Sequence, residues 1–326
     1  MTRNIPLGKL IVKVSAGFAA GDELFEWIKK YAQSYDDDFA FWEDIAFTVA
    51  DIPEADGALV FNTPSAKISL QCSKEKVIAF MMEPGVYHEH PWMYKRLDQY
   101  SKVYSPIVES ANTIRSHGYL GWYFAHNYPF LQKLPVPVKT KQVSCIASDL
   151  KQLKGHRART GFIELLGRQI PEIDLFGKGR CFLPDKMDGL LPYRYSIAIE
   201  NTSGPYYFTE KINDCFLAYT VPLYYGCSNI GDFFPERSFI QIDIKQPEKA
   251  IGQIKQILAK DDWHNRLDAL REARELVLNK YQPLAGAADI LSGIKTSGEK
   301  ECVTLQPVSP TVNRRIRTFL LSLGNR

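Results

Sequence analysis

Residues 198–226 read AIENTSGPYYFTEKINDCFLAYTVPLYYG, with Asn201, Tyr207, Thr209, Glu210 and Lys211 crowded between two apolar runs. The stretch parses as the end of a strand (193–201), a Gly204-Pro205 turn, a helix from about Thr209, and a second strand (221–226). Strand, helix and strand in that order make a parallel βαβ unit. In open α/β sheets ligands bind beyond the carboxyl ends of the strands, often on the N-terminus of the next helix. The polar insert falls at such a place.

Lys211 is the informative residue, because a lysine in the first helical turn opposes the helix dipole, which favours negative charge there by about 0.3–1 kcal/mol. Two readings resolve the conflict: an anionic ligand such as a phosphate shared by the ammonium and the free backbone N–H groups, or pairing with a nearby carboxylate. Tyr206, Tyr207 and Phe208 likewise serve either as core aromatics or as flanks for a sugar.

Working outward, the second half alternates strands (143–148, 172–177, 193–201, 221–226, 238–244) with helices (156–169, 209–219, 248–259) and adds a helix over 262–281 with Trp263, Leu267, Leu270 and Val277 near one face. The first half carries strands at 9–14, 57–62, 76–82 and 101–105, with Leu24, Ile28 and Tyr31 marking a helical face. Between the halves, YPFLQKLPVPVKTKQ (128–142) holds too many prolines for a helix interior or a central strand. The expectation is an α/β protein with a domain at 1–140, a second at 141–290 and a tail at 291–326. No internal repeat is visible.

The 326 residues suit two domains, and 45% hydrophobic with 24% charged residues is a globular composition. A net charge of +3 argues for no nucleic-acid partner. The six scattered cysteines form no C-x-x-C pair and the N-terminal apolar run is short, so reduced thiols and a cytoplasmic location are expected. No run reaches the length of a membrane span. Residues 311–326 hold four arginines and no acidic residue, with Ile316, Phe319, Leu320 and Leu323 at helical spacing. That pattern fits a basic amphipathic helix lying on the inner face of an anionic membrane, or equally a terminal helix packed back on the protein.

Residues 193–244 closely resemble the donor-binding motif of glycosyltransferase family 10, the α1,3/α1,4-fucosyltransferases. The matching positions are Glu200-Asn201, Tyr207-Phe208-Thr209-Glu210-Lys211, Val221-Pro222, Gly226 and Ser238-Phe239-Ile240. Upstream, HRARTGFIELLG is similar to the family's arginine-bearing helix and IDLFGKGR to its V-D-x-Y-G-K strand. VIAFMMEPGVY, followed by LDQYSKVYSP, is similar to its strand ending in a glutamate. The resemblance spans about residues 76–245.

It implies the GT-B fold, two Rossmann-like domains facing a cleft, with an acceptor-binding N-terminal domain and a C-terminal domain for GDP-fucose. It implies inverting transfer of fucose to a glycan hydroxyl, with Glu83 as base, Arg159 and Lys211 on the diphosphate, and Asn201, Tyr207 and Glu210 on the fucose and ribose. The partners implied are GDP-fucose and an oligosaccharide or lipid-linked glycan. A relative using another GDP-sugar, or a silent sugar-nucleotide or glycan-binding protein, is the alternative.

No metal is expected, since the cations above handle the diphosphate charge. A divalent cation is neither indicated nor excluded. Asp36–Asp38 form an acidic run far from the donor motif, and His88, Glu89 and His90 lack the H-E-x-x-H spacing of a zinc site. That loop is expected to shape the acceptor site, with Glu89 the competitor to Glu83.

Overall fold

The structure, a computed structural model, describes residues 6–83, 91–107, 110–147, 154–177 and 179–308. The chain runs β1 (Leu10–Ala16), α1 (Gly21–Lys29), β2 (Ser34–Tyr35), β3 (Ala40–Trp42), β4 (Ile45–Thr48), β5 (Gly57–Phe61), β6 (Ile68–Cys72), β7 (Val77–Phe80), β8 (Lys102–Ser105) and β9 (Thr113–Arg115). It continues through α2 (Tyr128–Lys133), β10 (Lys141–Ile146), α3 (Lys154–Gln169), β11 (Asp174–Phe176), β12 (Tyr193–Gly204), α4 (Glu210–Leu217), β13 (Val221–Cys227) and β14 (Ile240–Gln241). α5 (Pro247–Lys260), α6 (Leu267–Leu276), α7 (Pro283–Gly293) and β15 (Glu301–Leu305) complete it.

The contacts divide the chain into two compact units. The first takes the described residues up to Trp27, Tyr35–Ser116, and those from Ile290 on; the second takes Ile28–Ser34 and His117–Asp289. The sequence boundary expected in the proline-rich stretch therefore differs from the contact boundary, which falls at Ser116 and His117. The reason is visible in the bonds of that stretch. The Tyr128 amide donates to the Lys30 carbonyl, and Lys139 donates to the carbonyls of Leu190 and Ala218 and to Thr220 Oγ1. These tie the prolines into the second unit. Pro129 sits in the first turn of the short α2, where its missing N–H costs no helical bond.

The first unit holds a sheet in the order β2-β3-β4-β1-β5-β7-β8-β9, parallel from β4 to β9 with β3 antiparallel at one side. β5 and β7 are buried along their whole length, as continuous apolar runs in a sheet covered on both faces should be. The chain beyond residue 281 supplies α7 and β15, and β15 pairs antiparallel with β6 from Leu305↔Ile68 to Glu301↔Cys72.

The second unit holds a wholly parallel sheet in the order β11-β10-β12-β13-β14. β11 lies on one side of β10 and all later strands on the other, so the direction of winding reverses between β10 and β12. That is the topological switch point at which such sheets leave a crevice. The strand expected at 238–244 shrinks to Ile240–Gln241, because a 3₁₀ turn occupies Glu236–Ser238. Pro222 sits in β13 one residue before pairing with β14 begins at Leu223, so its absent N–H leaves no ladder bond unmade on that side.

His117 opens the main segment of the second unit and is 3% exposed. Its ring stacks on Phe208 at 4.8 Å and meets Phe233 and Tyr281 edge-on, while Nδ1 accepts from the Tyr119 amide. Burial, helped by the Lys280 charge, pushes its pKa from 6.5 to about 3, so the imidazole is neutral in the fold. The unfolded chain binds this proton below about 6.5, so between 6.5 and 3 the unfolded state holds more protons and stability falls as pH falls. Urea titrations should show this loss approaching about 1.4 kcal/mol per pH unit beyond the loss in His117→Gln. Equal slopes in the two proteins would remove His117 as the titrating group.

Candidate functional site

β12 pairs with β13 in register as far as Ile199↔Tyr225, then the ladder breaks until Gly204↔Cys227. Glu200 and Asn201 lie in this break, at the carboxyl end of β12 beside the switch point. A bulge re-aims side chains, and here the polar insert begins where pairing stops. Thr209 caps α4: its backbone is extended and its Oγ1 accepts from the Lys211 amide.

The Glu200 carboxylate is 1% exposed. It accepts from the Thr209 amide and hydroxyl, both at 2.9 Å through Oε1, and its Oε2 lies 3.2 Å from Lys211 Nζ. Lys211 also bonds Glu210 Oε1 at 3.2 Å and Thr209 Oγ1 at 3.1 Å. Burial draws the Glu200 pKa upward against the pull of Lys211. Burial also works against the Lys211 ammonium, yet the Glu200 and Glu210 carboxylates outweigh it and hold its pKa above the ordinary lysine value. For Glu210 burial acts to raise the pKa, but Lys211 and Lys186 together hold it at about 2. The dipole conflict seen in the sequence is thus met inside the protein by two carboxylates, with Lys211 still about one-fifth exposed.

Arg159, on α3, is 4% exposed and its Nη1 donates to Asn201 Oδ1 at 2.5 Å. Burial lowers its pKa, while Cys145, Glu200 and Glu210 act in the opposite sense. Tyr207 is buried, Asn201 is half-buried, and Phe208 belongs to the His117 cluster. The fold therefore gathers Glu200, Asn201, Glu210 and Lys211 at one end of β12, and joins Arg159 to them through Asn201.

Lys186 and Asp214 were not legible as site residues. Lys186 Nζ meets the fully buried Asp214 carboxylate at 2.5 Å, and Asp214 Oδ1 accepts from the Tyr123 amide. Burial raises the Asp214 pKa against the pull of Lys186. The signal available was an acidic residue among Ile212, Cys215 and Phe216 on the buried face of α4. Its partner lies 28 residues away and left no local trace.

Glu83 belongs to the first unit, half-buried just past β7. The segment leading to it is pinned by the Met81 amide on the Tyr104 carbonyl and the Met82 amide on Asn62 Oδ1. Asn62 is itself buried and left-handed, with φ 63°. The competing Glu89, with His88 and His90, lies outside the described residues, as does the tail 311–326. Asp36 turns the chain by accepting from the amides of Asp38 and Phe39.

Two α/β units built on parallel sheets are the elements of the GT-B fold. Crystal structures of an alpha1,3-fucosyltransferase with GDP and with GDP-fucose share the fold. Their TM-scores are 0.52 and 0.50 at 17% and 18% identity, over 86% and 87% of this chain and 95% and 96% of theirs. Residues 136–275 match the model of glycosyltransferase family 10 (fucosyltransferase), C-terminal part. The human 4-galactosyl-N-acetylglucosaminide 3-alpha-L-fucosyltransferase FUT6 is 28% identical over 222 residues, 64% of this chain and 59% of that protein. The Helicobacter pylori alpha-(1,3)-fucosyltransferase FucT is 36% identical over 72 residues, 22% of this chain and 15% of its own length. This chain spans about three-fifths of the length of the first of these curated relatives.

Gly226 has a steric reason: a Cβ there would lie 2.4 Å from Glu200 Cγ and 2.5 Å from Tyr224 Oη. Gly226→Ala should displace the buried carboxylate and destabilise by about 1–3 kcal/mol in urea unfolding. Gly231→Ala, with nothing within 4 Å of the new methyl, should stay within about 0.5 kcal/mol. Equal stability of the two variants would remove the steric account.

Proposed function

We propose that the protein is an inverting fucosyltransferase that moves L-fucose from GDP-fucose to a hydroxyl of a glycan acceptor, forming an α1,3 linkage. The observation that carries this reading is the cluster of Glu200, Asn201, Glu210 and Lys211 at the carboxyl end of β12, inside the segment that matches the family. The named activities of the relatives support the same donor sugar.

In this reading Glu83 takes the proton of the acceptor hydroxyl, and that oxygen attacks the anomeric carbon of fucose. The bond from that carbon to the β-phosphate oxygen breaks, and GDP leaves with the electron pair. Arg159 offers the departing diphosphate a planar two-pronged donor, and Lys211 a point charge. Stabilising charge where it develops is commonly the largest catalytic term. Glu210, Asn201 and Tyr207 hold the sugars. No metal is assigned a step.

Lys211 has a structural and a binding role, and two variants separate them. Lys211→Ala leaves Glu200 buried without its cation, a change that typically costs about 3–5 kcal/mol. The double variant Glu200→Gln/Lys211→Ala removes the stranded charge and should recover much of that stability. GDP affinity should stay reduced in both by roughly ten- to a hundredfold. A double variant that regains full GDP affinity in calorimetry would show that Lys211 only supports the fold.

Glu83→Gln should lower kcat for transfer from GDP-fucose by roughly 10²- to 10⁴-fold while leaving GDP affinity unchanged. Unimpaired transfer by this variant would exclude Glu83 as the base. Absence of any transfer by the wild-type chain across galactose- and GlcNAc-containing acceptors would count against an enzyme and for a binding protein.

A further inference from the structure

The loop after β11 holds an arginine that the donor reading leaves unused. Arg180 is half-buried, its Nε is shut off from solvent, and its side chain has no hydrogen-bond or ion-pair partner among the described residues. A guanidinium is acceptor-hungry, and a buried N–H without a partner is rare enough to need a reason.

Its place in the fold supplies one. The Arg180 amide donates to the Gly177 carbonyl and the Gly177 amide to the Cys181 carbonyl, which folds the loop back on itself. Gly177 has φ 125°, and a Cβ there would lie 2.3 Å from the Ala147 carbonyl oxygen, so the loop is pressed onto the carboxyl end of β10. Ala147 in turn donates its amide to the Phe176 carbonyl. β10 and β12 are the strands between which the winding reverses, so Arg180 is held at the same end of the sheet as Glu200 and Asn201. The Cys145 thiol in β10 reports on the neighbourhood: burial raises its pKa to about 12, and the charges of both Arg180 and Arg159 act against that rise. Two guanidinium groups thus converge on the end of one strand. Arg159 already has Asn201 as a partner.

We propose that Arg180 is a third cation of the donor site, binding a phosphate oxygen of the nucleoside diphosphate alongside Arg159 and Lys211. This rests on the donor-site reading above. The chemistry favours phosphate because a tetrahedral anion presents paired oxygens to the Nε and Nη edge of a guanidinium, and because a cation left without a carboxylate attracts an anion. Lys211, by contrast, must share itself with two carboxylates.

The test is calorimetry on the full chain with GDP, UDP and guanosine as ligands, for wild type, Arg180→Ala and Arg180→Lys. The wild type should prefer GDP to UDP. Arg180→Ala should weaken GDP by roughly ten- to a hundredfold and leave guanosine within about twofold, with Arg180→Lys in between. Unchanged guanosine binding also shows that the variant is folded. If Arg180→Ala binds GDP as wild type does, this inference fails and the donor site stands. If guanosine and GDP weaken equally, Arg180 contacts the base or supports the fold, and the phosphate assignment is wrong. If wild type does not prefer GDP to UDP, the donor-site reading falls and takes this inference with it.

Discussion

The second unit is organised around one buried carboxylate. Glu200 sits at the point where β12 leaves its ladder, and it needs donors, because an unpaired charge there would cost several kcal/mol. Thr209 supplies its amide and hydroxyl and Lys211 supplies an ammonium. These demands fix the neighbourhood. Thr209 must stand at the N-cap of α4, Lys211 must fall in the first turn where the dipole opposes it, and β13 must carry a glycine at 226 to leave room. A hydrophobic side chain at 200 would pack at lower cost, so the retained charge speaks for a purpose beyond stability.

The purpose we propose is diphosphate binding, and the balance of charges suits it. Lys211 is held by Glu200 and Glu210, and Lys186 by Asp214, so the cations are ordered before any ligand arrives. Order set in advance spares the ligand the entropy of freezing long side chains. In the proposed reading an incoming diphosphate competes with Glu200 and Glu210 for one ammonium.

Much of this was legible in the sequence, for identifiable reasons. β1, β5, β7, β10, β12 and β13 announce themselves as apolar runs bounded by turn residues, and the T-E-K at 209–211 gives both the cap and the misplaced cation. What stayed hidden depends on distant partners. β6 and β15 are short, half-exposed strands whose pairing spans more than 200 residues, so neither has a local pattern to mark it. The unit boundary was hidden because the prolines near 128–142 look like a linker, while their neighbours Tyr128 and Lys139 bond into the second unit. Lys186 opens a short 3₁₀ turn and Arg180 lies in a loop, places where a basic residue carries no periodic signal, and only their neighbours in space distinguish them.

The central claim is that Glu200 holds Lys211 in readiness for a diphosphate, and a crystal structure of the protein with GDP tests it most directly. The account predicts phosphate oxygens within hydrogen-bonding distance of Lys211 Nζ and the Arg159 guanidinium, at the carboxyl end of β12. GDP bound with its phosphates elsewhere, and Lys211 still engaged only by Glu200 and Glu210, would contradict it.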